Sequence, residues 1–394
     1  MTSRSRWILR LSALVFLVTV SLVITVHVTF VSPLRDNTEP IEPIVRRKYP
    51  FDFIDEEVTL PSQRTQNEIS VLLLGYMRGG TSLLGEFFNL NGDSFYWFEP
   101  LPSLYDRKFS RERMRCRQML CHMFHDNGTY RTASPEERET MMHSLSSILS
   151  CNMPGVAMDV YTHYFMNQAH WSSKNRKMNS YFSCKAKKNI KDCLNVLEET
   201  CRQSPIRATK VVRYRMDLVE DIIQTLPDTN LKIIHLIRDP RGIFQSRRFK
   251  TLQDDALLGI NLKGENETRE RLRFADMLCH QIWRNIQEAK KINLKYPNSV
   301  LEIRYEKLAM QPEDSLQEIY RFLGQNVSSV LERAVWDRTH AVKDGPVSGT
   351  KRMNATHTAM RWKKMNAGLQ TMIQQQEHCA ELLGYLAIHY PKYL

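Results

Sequence analysis

The sequence predicts an α/β protein in which a parallel sheet is flanked by helices and preceded by one N-terminal transmembrane helix. From residue 69 onward, short apolar runs alternate with longer segments of helical character. Two of these runs end in polar turns that open helices. The third observation is residues 11–31, which contain no Lys, Arg, Asp or Glu. With 42% hydrophobic and 25% charged residues, the 394-residue chain has the composition of a globular protein.

Residues 11–31 predict a membrane-spanning signal anchor. At about 1.5 Å per residue they extend about 31 Å, which matches a hydrocarbon core of about 30 Å. A cleaved signal peptide would have a shorter apolar core followed by small residues at a cut site. Arg4, Arg6 and Arg10 precede the segment in a tail without acids. Because positive charge stays on the cytoplasmic side, residues 1–10 are predicted to be cytoplasmic and the rest lumenal.

The predicted lumenal part begins with a stem over residues 32–68, which contains five prolines among mixed charges, and continues as one domain over 69–394. It holds four N-glycosylation sequons, which are permitted only on the lumenal side, at Asn127, Asn266, Asn326 and Asn354. All eight cysteines also lie there, and an even number in an oxidising compartment favours disulfides of unknown pairing.

Within the domain, the predicted strands are 70–74, 94–98, 208–212, 232–237 and 300–305. The predicted helices are 82–89, 271–294, 312–323 and 369–386. Segment 103–205 is richer in Cys, Met, His and aromatic residues, and we interpret it as a lid or an acceptor-side insertion.

The net charge of +12 indicates polyanionic partners, either nucleic acid or acidic glycans. No Lys/Arg-rich tail, zinc-finger spacing or RNA-binding aromatic motif occurs, so nucleic acid is not predicted as a partner. A generally basic surface without a single partner is the alternative explanation of the charge.

The first motif with chemical meaning is VLLLGYMRGGTSLLGEFF, residues 71–88. A buried strand runs into a turn with Gly79 and Gly80, and Thr81 and Ser82 then open a helix. Glycines let the backbone approach an anion, and the N–H groups at a helix start favour phosphate. Arg78 adds a forked cationic donor. The alternative is an ordinary strand–turn–helix connection with a Ser/Thr cap. The nucleoside-triphosphatase loop is absent, which disfavours a magnesium-dependent kinase.

The second motif is LKIIHLIRDPRGIFQSRR, residues 231–248. A buried strand again ends in a polar turn, and Pro240 stands where a helix can begin. If residues 240–246 form about two helical turns, Ser246 folds back toward Arg238 and both can hold one anion. Asp239 as a plain helix cap is the alternative explanation.

Together the two motifs resemble the donor-binding loops of the sulfotransferase superfamily, and most closely those of the Golgi carbohydrate 6-O-sulfotransferases. The first loop matches the family pattern from Arg78 to Leu83, followed by Phe-Tyr-x-x-Glu-Pro ending at Glu99-Pro100. It differs at Gly79 and Leu83, where the family has Ser/Thr and Phe. The second loop matches R-D-P-R-x-x-x-x-S-R from Arg238, and the likeness covers about residues 69–390.

The resemblance implies a P-loop-like sulfotransferase fold, a Golgi membrane location and the donor 3′-phosphoadenosine 5′-phosphosulfate (PAPS), with no metal. It implies a glycan or glycosaminoglycan acceptor, sulfated at a sugar 6-hydroxyl. The implied catalytic residues are Arg78 and Glu99. The implied donor-binding residues are Arg78, Gly79, Gly80, Thr81, Ser82, Leu83, Leu84, Arg238 and Ser246. In particular, Arg238 and Ser246 would hold the 3′-phosphate.

Glu99 is the predicted general base, since the attacking sugar hydroxyl has a high pKa. The neighbouring aromatic residues are expected to raise the pKa of Glu99 and make it a better base. A turn-capping role before Pro100 is the alternative, and His163 or His170 could act instead. Arg213, after a predicted strand, is a further candidate for binding the sulfate or the acceptor. Basic runs at 185–191 and 351–352 could bind an anionic glycan.

Three readings of the function follow. The first is a Golgi carbohydrate 6-O-sulfotransferase. A heparan or tyrosylprotein sulfotransferase would share the donor site and differ in the acceptor. A non-enzymatic type II glycan-binding membrane protein would explain the topology and the charge but leave the two phosphate loops without a role. The oligomeric state is open, with a homodimer as one alternative.

Overall fold

The sheet consists of five short apolar strands. The computed structural model describes residues 68–104, 131–163, 166, 173–248, 267–346 and 349–393. Its strands are β1 (Ile69–Leu74), β2 (Ser94–Phe98), β3 (Ile206–Val211), β4 (Leu231–Ile237) and β5 (Val300–Arg304). All pair in parallel in the order β2-β3-β1-β4-β5. The predicted parallel sheet is therefore confirmed, and each strand ends within two residues of its predicted bounds.

The predicted cytoplasmic tail, membrane span and stem, except residue 68, lie outside the described residues. Within the residues that the structure describes, we find no helix that combines the length and the apolarity needed to cross a membrane.

The connections between the strands are mostly helical. The helices are α1 (Thr81–Asn89), α2 (Pro135–Ser150), α3 (Met158–Thr162), α4 (Asn179–Lys185), α5 (Leu194–Arg202), α6 (Val219–Thr225), α7 (Pro240–Arg248), α8 (Glu267–Lys295), α9 (Tyr305–Met310), α10 (Pro312–Phe322), α11 (Ser329–Thr339), α12 (Ala355–Met360), α13 (Ala367–Gln374) and α14 (Glu377–His389). The predicted helices 82–89, 271–294 and 312–323 correspond to α1, α8 and α10.

Helices cover both faces of the sheet, which is why its strands are buried at nearly every position. Successive strand residues point to opposite faces. Leu72 of β1 lies in one buried cluster with Leu145 of α2, whereas Leu73 lies in a second cluster with Phe87 of α1. Ligands can therefore approach only the ends of the strands, and loops at their carboxyl ends form the usual site in such sheets.

The described part of segment 103–205 is in large part a sheet-covering layer, so its interpretation as a lid is wrong for α2. Leu145 and Leu149 of this helix are fully buried, and the Ser70 hydroxyl of β1 donates to the Leu149 carbonyl at 2.7 Å. A local signal for this helix was present, because Ser134 and Glu137 form a reciprocal capping box with a proline in the first turn.

The predicted helix 369–386 is two helices, α13 and α14, separated by an extended residue at Gln376. The sequence has no breaker there. Asp276 of α8 accepts a hydrogen bond from the His378 backbone N–H at 3.0 Å and from its ring nitrogen at 2.8 Å. A side chain 102 residues away thus caps the second helix, which sequence periodicity does not show.

Three disulfides join the cysteines of the described residues. They are Cys151–Cys201, Cys184–Cys193 and Cys279–Cys379. The expected disulfide chemistry is confirmed for these six residues, while Cys116 and Cys121 lie outside the described residues.

Candidate active site

The turn after β1 is held in a left-handed backbone conformation. Arg78 has φ 63° and Gly80 has φ 94°. A Cβ atom on Gly80 would lie 2.0 Å from the Tyr305 ring, so a larger residue would displace that ring. For Arg78 the conformation costs about 1–3 kcal/mol, a strain that is concentrated at functional sites. Helix α1 begins at Thr81, and no side-chain hydrogen bond caps its N-terminus.

The predicted donor-binding residues of this motif divide into two groups. Leu83 and Leu84 are buried in the core, and both donate their backbone N–H to the Gly80 carbonyl, at 2.9 and 3.3 Å. By contrast, Gly80 and Ser82 are partly exposed. A ligand at this turn would therefore meet residues 78–82, with the two leucines fixing the helix beneath it.

The turn after β4 begins helix α7 in the way that the sequence predicts. Asp239 caps the helix, because its Oδ1 accepts a hydrogen bond from the Arg241 backbone N–H at 2.8 Å. Pro240 occupies the first helical position. The Asp239 backbone N–H donates to Glu306 Oε1 at 2.9 Å, which fixes this turn to the residues after β5. The capping role of Asp239 therefore supports the loop and leaves the neighbouring Arg238 in a defined position.

The two turns meet in space. Arg238 Nη1 donates to the Arg78 carbonyl at 2.7 Å, and Arg78 Nε donates to the Ser246 hydroxyl at 3.0 Å. The Arg238 guanidinium lies 4.3 Å from the centre of the Tyr305 ring. The sequence predicted that Ser246 would fold back toward Arg238, and in the structure the Ser246 hydroxyl accepts its hydrogen bond from Arg78. One site thus contains all three residues.

Four arginines contribute positive charge to this site. Burial lowers the pKa of Arg78 below its ordinary value, and the charges of Arg238, Arg352 and Arg361 lower it further. In addition, Arg238 is almost fully buried, and its Nε atom has no hydrogen-bond partner among the described residues. Mutual repulsion among several cations in a partly buried site favours the binding of an anionic ligand.

Glu99 follows β2 on the other side of β3 and forms an ion-pair cluster. Lys210 Nζ lies 2.5 Å from Glu99 Oε1, and Arg213 Nη1 lies 3.4 Å from Glu99 Oε2. Burial raises the pKa of the Glu99 carboxyl, but Lys210 and Arg213 together outweigh it and hold the pKa below its ordinary value. The expected rise in the pKa of Glu99 is therefore wrong, because the sequence did not show the two cations.

Comparison with known proteins identifies the family. A family model for the sulfotransferase domain matches residues 68–371, more than half of the chain. The chain belongs to the sulfotransferase domain family. It is 24% identical to carbohydrate sulfotransferase 4 of Mus musculus over 83% of this chain and 85% of that relative. It is 27% identical to carbohydrate sulfotransferase 3 of Homo sapiens over 74% of this chain and 62% of that relative.

Among solved structures, the sulfotransferase domain of the Synechococcus PCC 7002 olefin synthase is similar to this chain. The two share 17% sequence identity with a TM-score of 0.41, over 84% of this chain and 98% of that one.

Sequence reasoning missed three cations of this sulfotransferase site. Lys210 lies inside a strand and looked like part of an ordinary apolar run. Arg352 was assigned to a glycan-binding basic run, and Arg361 was given no role at the site. The sequence feature that could have identified Lys210 is its position near the end of a buried strand, because a buried charge needs a partner. For the two arginines, only the folded chain brings them to Arg78.

Three further candidates from the sequence are Lys185, His163 and His170. Lys185 of the first basic run donates to the Tyr161 and Met166 carbonyls, so it holds the local fold. His163 is buried and lies close enough to Glu99 to lower the pKa of that carboxyl. His170 lies outside the described residues.

Asn326 and Asn354 of the predicted sequons are exposed, while Asn127 and Asn266 lie outside the described residues. The part of the chain that the structure describes contains no group of three or more His, Cys, Asp or Glu side chains arranged to bind a metal. The metal-free reaction stays a prediction.

Behind the Arg78 turn lies a buried polar network in this sulfotransferase. The Tyr76 hydroxyl is 2.8 Å from His235 Nε2, and Asn285 Nδ2 donates to the same hydroxyl at 3.1 Å. Burial lowers the pKa of His235 to about 3. At neutral pH the ring is therefore uncharged, and it holds the tyrosine two residues before Arg78.

This network predicts acid sensitivity of folding. Between its unfolded pKa of about 6.5 and its folded pKa of about 3, His235 binds a proton only in the unfolded chain. The free energy of unfolding should therefore fall as the pH falls through this window, by up to about 1.4 kcal/mol per pH unit from this group. Urea unfolding at about pH 7 and about pH 5 measures the slope. A His235→Gln variant should show a shallower slope; an unchanged slope would contradict the assignment.

Proposed function

We propose that this sulfotransferase transfers the sulfuryl group of PAPS to a sugar hydroxyl of a glycan or glycosaminoglycan, at the 6-position. The observation that carries the proposal is the meeting of the two turns: Arg238 binds the Arg78 carbonyl, and Arg78 binds Ser246. The relatives named carbohydrate sulfotransferases support a sugar as the acceptor.

The charges of the site fit the chemistry of this donor. PAPS carries a 3′-phosphate monoester with a charge of about −1.5 to −2. Its 5′-phosphosulfate adds one negative charge on the phosphate and one on the sulfuryl group. The turn after β1 offers helix N–H groups and Arg78 for the 5′-phosphate. The turn after β4, with Arg238, fits the 3′-phosphate, since the Arg238 Nε atom has no hydrogen-bond partner among the described residues. Tyr305 packs against that guanidinium and limits its movement.

In the proposed reaction the residues of this chain act by position and charge. The bond between sulfur and the 5′-phosphate oxygen breaks, and a bond from sulfur to the sugar oxygen forms. Arg78 stabilises the charge that develops on the leaving phosphate. Glu99 accepts the proton of the sugar hydroxyl, and Lys210, at 2.5 Å, keeps this carboxylate ionised. The products are the sulfated sugar and 3′-phosphoadenosine 5′-phosphate.

We place the enzyme in the Golgi membrane, anchored by residues 11–31 with the catalytic domain in the lumen. The three disulfides support an oxidising compartment. The exposed sequon residues Asn326 and Asn354 agree with that side of the membrane.

The test is sulfate transfer by the full-length protein from labelled PAPS to chondroitin, keratan, heparan and tyrosine-peptide acceptors. The proposal expects labelled chondroitin or keratan, with the sulfate on C6 after disaccharide analysis. Label only on heparan or only on the tyrosine peptide would assign the alternative acceptor class and refute the proposed one. A chain that binds no 3′-phosphoadenosine 5′-phosphate in a thermal-shift assay would refute the donor.

A further inference from the structure

The loop after β3 carries Arg213, a buried cation whose charge the described residues do not fully neutralise. Arg213 is 9% exposed, and its Nη1 contacts Glu99 only at 3.4 Å, whereas Lys210 already lies 2.5 Å from the other oxygen of that carboxylate. The Arg213 Nε atom has no hydrogen-bond partner among the described residues. One carboxylate thus faces two cations, and one positive charge is in excess.

A second buried carboxylate among the described residues does not supply the missing charge. Glu86, which is buried in α1, lies 3.5 Å from Lys174 Nζ and 3.3 Å from Arg338 Nη2. Lys174 also lowers the pKa of Lys210, which places its positive charge in the same neighbourhood. The second carboxylate therefore already has two cations of its own. A buried cation in excess costs free energy unless an anion binds it.

The sheet order shows where such an anion would lie. Strand β3 lies between β2, which ends before Glu99, and β1, which ends before the Arg78 turn. Val211 of β3 is in register with Leu74 of β1, and Arg213 follows two residues later. A residue at this point lies between the proposed base and the proposed donor turn, where the acceptor sugar must enter.

We propose that Arg213 binds an anionic group of the acceptor, so that the substrate is an acidic glycan carrying a carboxylate or an earlier sulfate beside the reacting hydroxyl. This inference rests on the proposed function and narrows its substrate class. A guanidinium matches the two oxygens of a carboxylate or a sulfate with parallel N–H groups, and a neutral sugar offers no such partner. The same chemistry could come from the sulfuryl group of the donor, and the experiment separates the two sources.

The test compares full-length wild type with Arg213→Met on two polymer pairs. One pair is chondroitin and its carboxyl-reduced form; the other is sulfated keratan and its desulfated form. Loss of a charge-assisted contact worth about 1.5–3 kcal/mol should raise KM for the charged member of one pair about 10- to 100-fold. KM for its neutral member and for PAPS should stay unchanged. The affected pair identifies the anion as carboxylate or sulfate.

Two controls separate binding from folding. Arg138→Met removes an equal charge from an exposed pair with Asp221 and should leave every KM unchanged. Because Lys210 remains 2.5 Å from Glu99, replacement of Arg213 by methionine should change the unfolding midpoint of the free enzyme by no more than a degree or two. A midpoint several degrees lower would show that Arg213 is a structural partner of Glu99 and overturn the inference.

The remaining outcomes are distinct. An equal fall of kcat on charged and neutral polymers, with KM unchanged, would assign Arg213 to the donor's sulfuryl group and overturn the inference. An unchanged preference for charged over neutral polymers in Arg213→Met would also overturn it, with the proposed function intact. Failure of the wild type to sulfate any of the four polymers would refute the proposed function itself.

Discussion

Replacing Arg78 with alanine is expected to lower kcat about 100- to 1000-fold, the effect of removing one preorganised donor from a developing charge. Arg78 combines three features: a left-handed backbone, a hydrogen bond to Ser246, and a carbonyl that accepts from Arg238. The substitution removes the guanidinium and the contact with Ser246 but keeps the carbonyl, so Arg238 can retain its position. Steady-state kinetics with PAPS and the best acceptor of the panel provide the measurement.

Arg238→Ala tests binding of the 3′-phosphate, whereas Arg78→Ala tests stabilisation of the leaving 5′-phosphate. If Arg238 holds the 3′-phosphate, its loss should weaken binding of 3′-phosphoadenosine 5′-phosphate more than it changes the chemical step. It should also remove the preference for PAPS over adenosine 5′-phosphosulfate, which lacks that phosphate. Arg138→Ala is the matched surface control, because this arginine pairs with Asp221 on an exposed face. Unchanged kinetics in both Arg78→Ala and Arg238→Ala would contradict the proposed donor site.

The second large effect is expected at Glu99. Glu99→Gln keeps the shape of the side chain and removes the proton acceptor, so kcat should fall about 100- to 10,000-fold if the carboxylate is the general base. The rate at saturating donor and acceptor measures this directly. Full kcat in Glu99→Gln would show that another group, such as His163, accepts the proton.

The pH profile tests how Lys210 controls that carboxylate. Because the pKa of Glu99 lies below its ordinary value, kcat/KM of the wild type should stay level as the pH falls toward about 4.5. Lys210→Met removes the cation at 2.5 Å and leaves the effect of burial, so the pKa of Glu99 should rise. The acid limb of the profile should then move to higher pH. An acid limb at the same pH in both proteins would show that Glu99 is not the group whose protonation lowers kcat/KM.

Much of the fold could be predicted from the sequence because its signals are local. A strand buried on both faces is recognised by a continuous apolar run, as at residues 71–74 of β1. Helix starts follow from the residues at the start, as with Pro240 after Asp239. The helix break at Gln376 was missed because its cap, Asp276, comes from another part of the chain.

The candidate site could be predicted in its residues but only partly in its contacts. Arg78, Arg238 and Ser246 were recognisable from two motifs, and the structure brings them together. The partner of Ser246 and the direction of the pKa of Glu99 were not recognisable. Both depend on distances across the sheet, from β1 to α7 and from β2 to β3.

An α/β protein with two anion-binding turns follows from the sequence alone, because turn conformation and strand burial depend on residues that are adjacent in the chain. Which charged side chains lie close together is known only from the folded structure. It gathers Arg352 and Arg361 near Arg78, and it sets Lys210 and Arg213 against Glu99. Electrostatic energy depends on separation and burial, and a parallel sheet brings together residues that are more than a hundred positions apart along the chain.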